Sequence, residues 1–305
     1  MSLVSTVRRS LGLKISLKLA ILVVALTAGA AVIIVTTQTR QMEDLTLEKA
    51  KVAAAIGARQ YGDFFDNAID SGLVIVTDVF DRNYAEIKGY DFKDKPKFHT
   101  RYDALTDRAV LVFQDKILDQ EDFVFAVGVD ENGYLPTHNS RFQRAVTGDA
   151  AQDLAGNRTK RIFADPVGLA AAKNKDPSLV QVYKRDTGET MWDVSSPIYV
   201  KGKHWGGFRV AVSMDRIQTH QRLLLLTLTA IFSIFTLVTV GAIFLLIHGA
   251  MKPVARLTEA ATQISLGDAL DVQIKPETED EIGRLTKTID RLRLSMKAAM
   301  QRLGH

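Results

Sequence analysis

The stretch LLLLTLTAIFSIFTLVTVGAIFLLIHGAM, Leu223 to Met251, runs 29 residues without an Asp, Glu, Lys or Arg. A second charge-free run, LAILVVALTAGAAVIIVTTQT, occupies the 21 residues from Leu19 to Thr39. At about 1.5 Å per helical residue, each is long enough to cross a hydrocarbon core of roughly 30 Å. The expected order is an N-terminal segment 1–14, a span 15–39, an outer domain 40–222, a second span 223–248, an inner module 249–302 and a tail 303–305.

The formal net charge is +4, and its location matters more than its size. Residues 1–18 carry Arg8, Arg9, Lys14 and Lys18 with no acid, while residues 40–222 hold 26 basic against 27 acidic side chains. The excess is therefore a membrane flank, which orients the first span with its N-terminus in the cytoplasm. Two spans return the C-terminus to the same side, with Lys252 and Arg256 just inside. The expected location is a bacterial inner membrane, crossed twice, with lipid as one partner and no nucleic acid. The first run exceeds a typical signal-peptide core and has Ala28-Gly29-Ala30 at its middle, so an uncleaved anchor is expected. With no cysteine, disulfides, thiolate metal sites and c-type haem attachment are excluded.

The outer stretch opens helical. Residues 41–79 are rich in Ala, Glu, Lys, Leu and Asp and contain no Pro, and Leu45, Val52, Ile56, Phe64, Ala68 and Val76 fall loosely on one face. A second helix is expected over 101–118, where Leu105, Ala109, Val112, Phe113 and Ile117 recur at spacings of three and four. Then the period becomes two. Phe123–Val129 reads as a strand, Asn132-Gly133 as a hairpin turn, and Tyr134–His138 as a returning strand made edge-like by Pro136. Val180–Arg185, Thr190–Val200 and His204–Met214 continue as a meander, turning at Asp186-Thr187-Gly188 and at Gly202. The expectation is α+β: a long N-terminal helix and a five-stranded antiparallel sheet.

Three segments, KFHTRYDALTD at 97–107, FAVGVDENGYLPTHN at 125–139 and TGDAAQDLAGNRTKRIF at 147–163, with HWGGFRV at 204–210, resemble the ligand-binding region of a subgroup of methyl-accepting chemotaxis proteins. The layout resembles the Cache sensor domains, extracellular relatives of PAS domains. This resemblance implies a chemoreceptor-like domain that binds a small molecule in the periplasm. Some relatives attach haem through Cys-x-x-Cys-His, which this chain lacks.

In the tail, Val254, Leu257, Ala261 and Ile264 are spaced 3, 4, 3, and Ile282, Leu285, Ile289, Leu292, Met296 and Ala299 continue the same heptad rhythm. Helices this short need partners to bury such seams. Gly267 ends the first helix, and Leu270, Val272 and Ile274 alternate as an extended connector. Pro253 at the first helix's start and DEIG at 280–283, with Glu281, Ile282 and Gly283, resemble the HAMP linker domain. That resemblance implies an all-α, parallel four-helix bundle formed as a homodimer, signalling through Leu257, Ile264, Leu285 and Ile289. After it the chain shows no kinase histidine box, nucleotide-binding glycine loop or methylation helix. Output would fall to a separate cytoplasmic protein of kinase or chemoreceptor type, or the chain is a truncated receptor.

Candidate ligand-binding residues are Tyr134, His138, Asn139, Arg161, Tyr183, Trp192 and Trp205. For Tyr134, His138 and Asn139 two readings stand, a polar cluster facing a pocket or a capped turn. Arg161 suits bidentate pairing with a carboxylate, against the commoner solvated loop arginine. Tyr183, Trp192 and Trp205 suit aromatic pocket walls, against ordinary core packing. No His-Glu-x-x-His or Gly-x-Ser-x-Gly arrangement exists, so no enzyme, metal site or cofactor is expected. The minor case is a non-covalent haem or metal on His138 or His204. Two functions follow: a transmembrane signal-transducing sensor, or a periplasmic solute-, haem- or metal-binding accessory protein with no output.

Overall fold

The computed structural model describes residues 10–89, 95–185 and 188–303. The Arg8-Arg9 pair, the Asp186-Thr187 turn and residues 304–305 lie outside them. In chain order the elements are α1 (Leu11–Asp70), α2 (Val76–Val79), β1 (Ala85–Ile87), β2 (Lys97–His99), α3 (Asp103–Ile117), β3 (Phe123–Asp130), β4 (Tyr134–Leu135), α4 (Ala150–Gly156), β5 (Arg161–Ile162), α5 (Pro166–Lys173), β6 (Leu179–Lys184), β7 (Thr190–Val200), β8 (Lys203–Ser213), α6 (Met214–Leu266) and α7 (Glu281–Leu303). Two compact units result, Thr36–Leu225 and Met1–Val35 with Leu226–His305.

The first unit is α+β, built on an antiparallel sheet of order β3-β8-β7-β6. It has four strands rather than five. The turn at Asn132-Gly133 forms, with the Gly133 N–H donating to the Asp130 carbonyl at 2.8 Å. Yet β4 pairs with β5 (Tyr134↔Ile162, Leu135↔Arg161), not with β3. Side-chain amides take the free edge of β3: the Ala126 N–H donates to Asn139 Oδ1 at 2.8 Å and the Gly128 N–H to Gln114 Oε1 at 3.1 Å. An edge satisfied in this way offers no ladder to a returning strand, and Pro136 lacks the N–H to extend one.

Alternation along the strands gives the sheet two different faces. Phe208, Val210 and Val212 of β8 and Val194 and Ile198 of β7 pack with Ala50, Ala54, Ala58, Tyr61 and Phe65 of α1. The expected stripe on α1 is displaced: Leu45, Val52 and Ile56 are 58%, 55% and 50% exposed, while the alanines are buried. Small side chains let the helix lie close to the strands, and a Cβ on Gly57 would meet the Phe208 ring at 2.2 Å. The helix also ends at Asp70 instead of running to 79, with Val76–Val79 a separate turn. In α3 the residues buried are Asp103, Thr106, Val110 and Gln114, and Val112 is exposed.

The second unit holds two segments apolar and long enough to span a membrane, with mean hydropathy of 2.7 in α1 and 2.6 in α6. Between them the Thr27 and Thr236 hydroxyls hydrogen-bond at 3.1 Å. The first inner helix is not separate from the second span: α6 continues to Leu266, so Pro253 lies inside it rather than at its start. Gly267 ends α6 at φ +86°, a conformation glycine adopts freely. Its N–H reaches the Ile264 carbonyl and that of Asp268 reaches Gln263, which satisfies the terminal carbonyls.

Candidate functional site

The sheet face turned away from α1 carries the polar chemistry of the outer unit. Arg209 of β8 lies opposite Val127 and Ser195 in the ladders. Its Nε donates to Asp193 Oδ1 and Oδ2 at 3.0 and 3.3 Å, and both residues are buried. Burial penalises the guanidinium, but the Asp193 carboxylate outweighs that penalty and raises the Arg209 pKa. Arg209 Nη2 is buried without a hydrogen-bond partner among the described residues. Beside it a small chamber of about 20 Å³ is lined by Phe125, His138, Arg158, Phe163, Tyr183 and Arg209, among others. Arg158, Phe163 and Tyr183 also line a larger cleft of about 630 Å³, whose remaining wall includes Arg161, Lys184 and Arg185.

His138 sits at the centre of this charge. Its Nδ1 accepts the Asn139 N–H at 2.8 Å, which leaves the ring proton on Nε2. Desolvation, followed by Arg158, Arg185, Arg161 and Arg209, holds its pKa well below the usual imidazole value. The ring is therefore neutral at physiological pH and packs on Phe142 at 4.9 Å. Aromatic faces also receive the guanidinium groups. Arg185 lies over Phe142 at 4.3 Å, Arg158 over Phe163 at 5.2 Å, and Arg209 over Tyr183 at 5.5 Å. Such contacts hold cations in place without neutralising them.

The structure gathers His138, Arg161 and Tyr183 around these cavities and places four other candidates elsewhere. Asn139 caps the β3 edge. Tyr134 donates from its hydroxyl to the Phe98 carbonyl and Asp103 Oδ2, at 2.9 and 2.8 Å. Trp192 packs against the α1-facing core, and Trp205 lies within it, stacked on Tyr61 at 5.2 Å with its Nε1 donating to the Val79 carbonyl. His204 Nε2 lies 2.9 Å from the Asn174 carbonyl oxygen. Among the described residues no three His, Cys, Asp or Glu side chains converge as metal ligands. Sequence reading passed over Arg158, Arg185 and Arg209. The available signal was Arg209 itself, a charge between Phe208 and Val210 in a buried strand.

The inner unit holds a second constellation. Asp280, preceding DEIG's Glu281, caps α7 by accepting the N–H groups of Ile282 and Gly283 at 2.9 and 3.1 Å. Glu281 is exposed and pairs with Arg284 at 2.9 Å. Gly283 is required by space, since a Cβ there would meet the Thr278 carbonyl oxygen at 1.8 Å. The connector is tied to α7 by Asp290, which accepts the Ile274 N–H at 3.1 Å and pairs with Arg293 at 2.8 Å. Leu257 and Ile264 are buried and Ile282 and Ile289 partly so, but Leu285 and Leu292 are 46% and 61% exposed.

No curated protein matches the chain. Among solved structures it is similar to the sensor domain of DcuS from E. coli, at 20% identity and a TM-score of 0.27 over 37% of this chain and 71% of that one. It is also similar to an extracellular ligand-binding receptor from Desulfohalobium retbaense, at 12% and 0.32 over 61% of this chain and 25% of that one. A third is the sensory domain of the Campylobacter jejuni chemoreceptor Tlp3 with isoleucine bound, at 12% and 0.27 over 60% of this chain and 65% of that one. These likenesses are too slight to transfer a ligand. The tail is different: residues 245–304 match the family model of the HAMP domain, and with its capped α7, glycine-ended α6 and tethered connector this part of the chain is a HAMP domain.

Proposed function

We propose that this chain is a two-pass receptor of a bacterial inner membrane, with both termini in the cytoplasm, that captures a small molecule in the periplasm and relays its presence to a separate output protein. The observation that carries this reading is one of sequence order. β8, which contributes Arg209 to the cavity, ends at Ser213; α6 begins at Met214 and leads into the HAMP domain. A ligand that binds two arrangements of β8 with different affinity shifts the population of α6 with it. Displacements of an ångström or two are enough to repack helices in such devices. No catalytic step and no cofactor is assigned.

The relay also calls for a second copy. Leu285 and Leu292 lie seven residues apart and face outward on α7, and Leu45, Val52 and Ile56 do so on α1. A parallel dimer would bury the α7 stripe as a heptad seam. Cysteine introduced as Leu285→Cys is then the sole thiol, because the chain has none of its own. Oxidation in native membranes should give crosslinked pairs, and a chimera joining the full chain to a histidine-kinase output should respond to compounds that bind the outer unit. Bound ligand with unchanged kinase output would instead favour an accessory binding protein, and absence of crosslinking would remove the dimer.

A further inference from the structure

The joint between β8 and α6 is held from the side by the turn that precedes β3. The Asp122 carbonyl accepts the Ser213 N–H at 3.1 Å, and the Glu121 carbonyl accepts from Arg216 Nη1. A third contact is left open. His220 Nδ1 lies 3.7 Å from Asp122 Oδ1, beyond hydrogen-bond reach. That oxygen is buried and has no hydrogen-bond partner among the described residues. A buried carboxylate oxygen without a donor is a standing cost, and the ring nitrogen facing it is placed to relieve it.

Whether Nδ1 relieves it depends on a proton. A neutral imidazole carries one N–H, and with that proton on Nε2 it turns a lone pair towards Asp122. The cation donates from both nitrogens, and charge-assisted bonds of this kind close to about 2.7–2.9 Å. Imidazole is also the side chain whose charge changes between about pH 5 and 8. The charged groups around the ring come from three elements. On α6 they are Asp215, Arg216 and Arg222; in the turn, Asp119, Glu121 and Asp122; on α1, Glu43. Arg216 is bonded to the Glu121 carbonyl, Asp119 pairs with Lys116 at 2.7 Å, and Glu43 accepts from Gln221 Nε2 at 2.8 Å. Among the described residues, Asp122 is the acid within ion-pair distance of His220.

Position gives the pair its consequence. His220 stands three residues before Leu223, where the charge-free run of α6 begins. Ile217, one turn earlier, is buried in the α1-facing core. Closing His220 onto Asp122 fastens the last turn before that run to the same residue that already holds Ser213. We infer that His220 and Asp122 form a proton-binding site: protonation of His220 closes the pair and tightens the β8–α6 joint, and loss of the proton loosens it. The ligand is a proton from the medium, and no other bond to hydrogen is broken. The site is separate from the two cavities and rests on the sensor reading above only in taking α6 as the element that carries the signal.

The test uses the full chain in lipid nanodiscs. Amide exchange of residues 216–222 is followed by mass spectrometry at about pH 7.5 and pH 5.5, on either side of an imidazole titration, after correction for intrinsic rates. Protection there should rise about two- to fivefold in acid, the worth of a half-exposed ion pair. His220→Gln and Asp122→Asn should each remove that rise, and His220→Arg, a fixed cation, should show the protected state at both pH values. His138→Phe should leave the rise in place, because burial of His138 makes acid loosen the outer unit, the opposite sign. An exchange rate in the parent that ignores pH, a rise that survives both His220→Gln and Asp122→Asn, or a rise lost in His138→Phe would each overturn the site. Exchange reads the joint without any output, so crosslinking of Leu285→Cys at the same two pH values separates it from the relay. A joint that tightens while crosslinking stays constant keeps the site and removes its place in signalling. Crosslinking that follows pH equally in His220→Gln, with no change at the joint in the parent, overturns the site and leaves the relay standing.

Discussion

The outer and inner units use the same apolar residue types in opposite ways. The outer unit buries its large side chains within one chain: Trp205, Tyr61, Phe65 and Phe208 are all at 0% exposure. The inner unit leaves Leu266, Val272, Leu285, Leu292 and Met300 exposed by 46% to 70%. One has a finished core, and a finished core can hold a costly polar site on the far face of its sheet. The other leaves an apolar stripe uncovered within one chain, which is the stripe the proposed second copy would bury. A receptor needs both conditions, a fixed place to read a ligand and a packing arrangement loose enough to be biased.

The contrast is broken most severely at Trp205. The indole stacks on Tyr61, contacts Phe65 at 5.1 Å and Tyr102 at 5.6 Å, and donates to the Val79 carbonyl at 2.8 Å. Trp205→Ala should cost about 3–5 kcal/mol from the lost burial and the cavity left behind. Urea unfolding of the outer unit's tryptophan-independent circular dichroism signal in the full chain measures it. A loss under 1 kcal/mol would mean that this core is not the outer unit's main support.

A smaller effect comes from His138 on the other face. Burial and four arginines lower its folded-state pKa, while the unfolded chain keeps the ordinary value near 6.5. Below that value the unfolded state binds a proton that the folded state refuses, so stability falls as pH falls. The slope contributed is at most about 1.4 kcal/mol per pH unit. Replacing the ring by His138→Phe should flatten this part of the profile between pH 6.5 and 5. An unchanged slope would show that the ring gains a proton in the folded state and that its arginine surroundings are relieved.

Much of this division was legible in the sequence, and what was not has physical causes. Charge-free length marks the two segments of α1 and α6 apolar and long enough to span a membrane. Gly267 and DEIG mark the end of α6 and the start of α7, whereas the 3–4 spacing from Val254 did not show that its helix continues unbroken from the second apolar segment. The α1 face was misplaced because its buried positions are Ala50, Ala54 and Ala58, which contribute little to a hydropathy period, while the larger Leu45, Val52 and Ile56 point outward. The fifth strand was miscounted because two side-chain amide oxygens, of Gln114 and Asn139, accept the N–H groups of Gly128 and Ala126, 14 and 13 residues away in sequence, and so occupy the edge of β3. The arginine cluster was harder still. Arg209 and Asp193 become a pair only once β7 and β8 are in register, and Arg158 is carried in by the segment before β5. Local patterns show faces; they do not show which distant residues a face brings together.

The smallest effect in the isolated chain should be the most informative about the inner unit. Leu292 is 61% exposed, so Leu292→Ser removes little burial from one copy and should change its unfolding by no more than about 0.5 kcal/mol. A parallel seam would bury that leucine in both copies, each worth about 1.5–3 kcal/mol. Association measured by sedimentation in detergent should then weaken at least about tenfold, since each 1.4 kcal/mol is a decade. If unfolding suffers and association does not, the leucine already packs within its own chain and the seam is not an interface. If association suffers alone, the exposed stripe is the missing half of a core, and the contrast between the two units is the contrast between a domain complete in one chain and a domain completed by two.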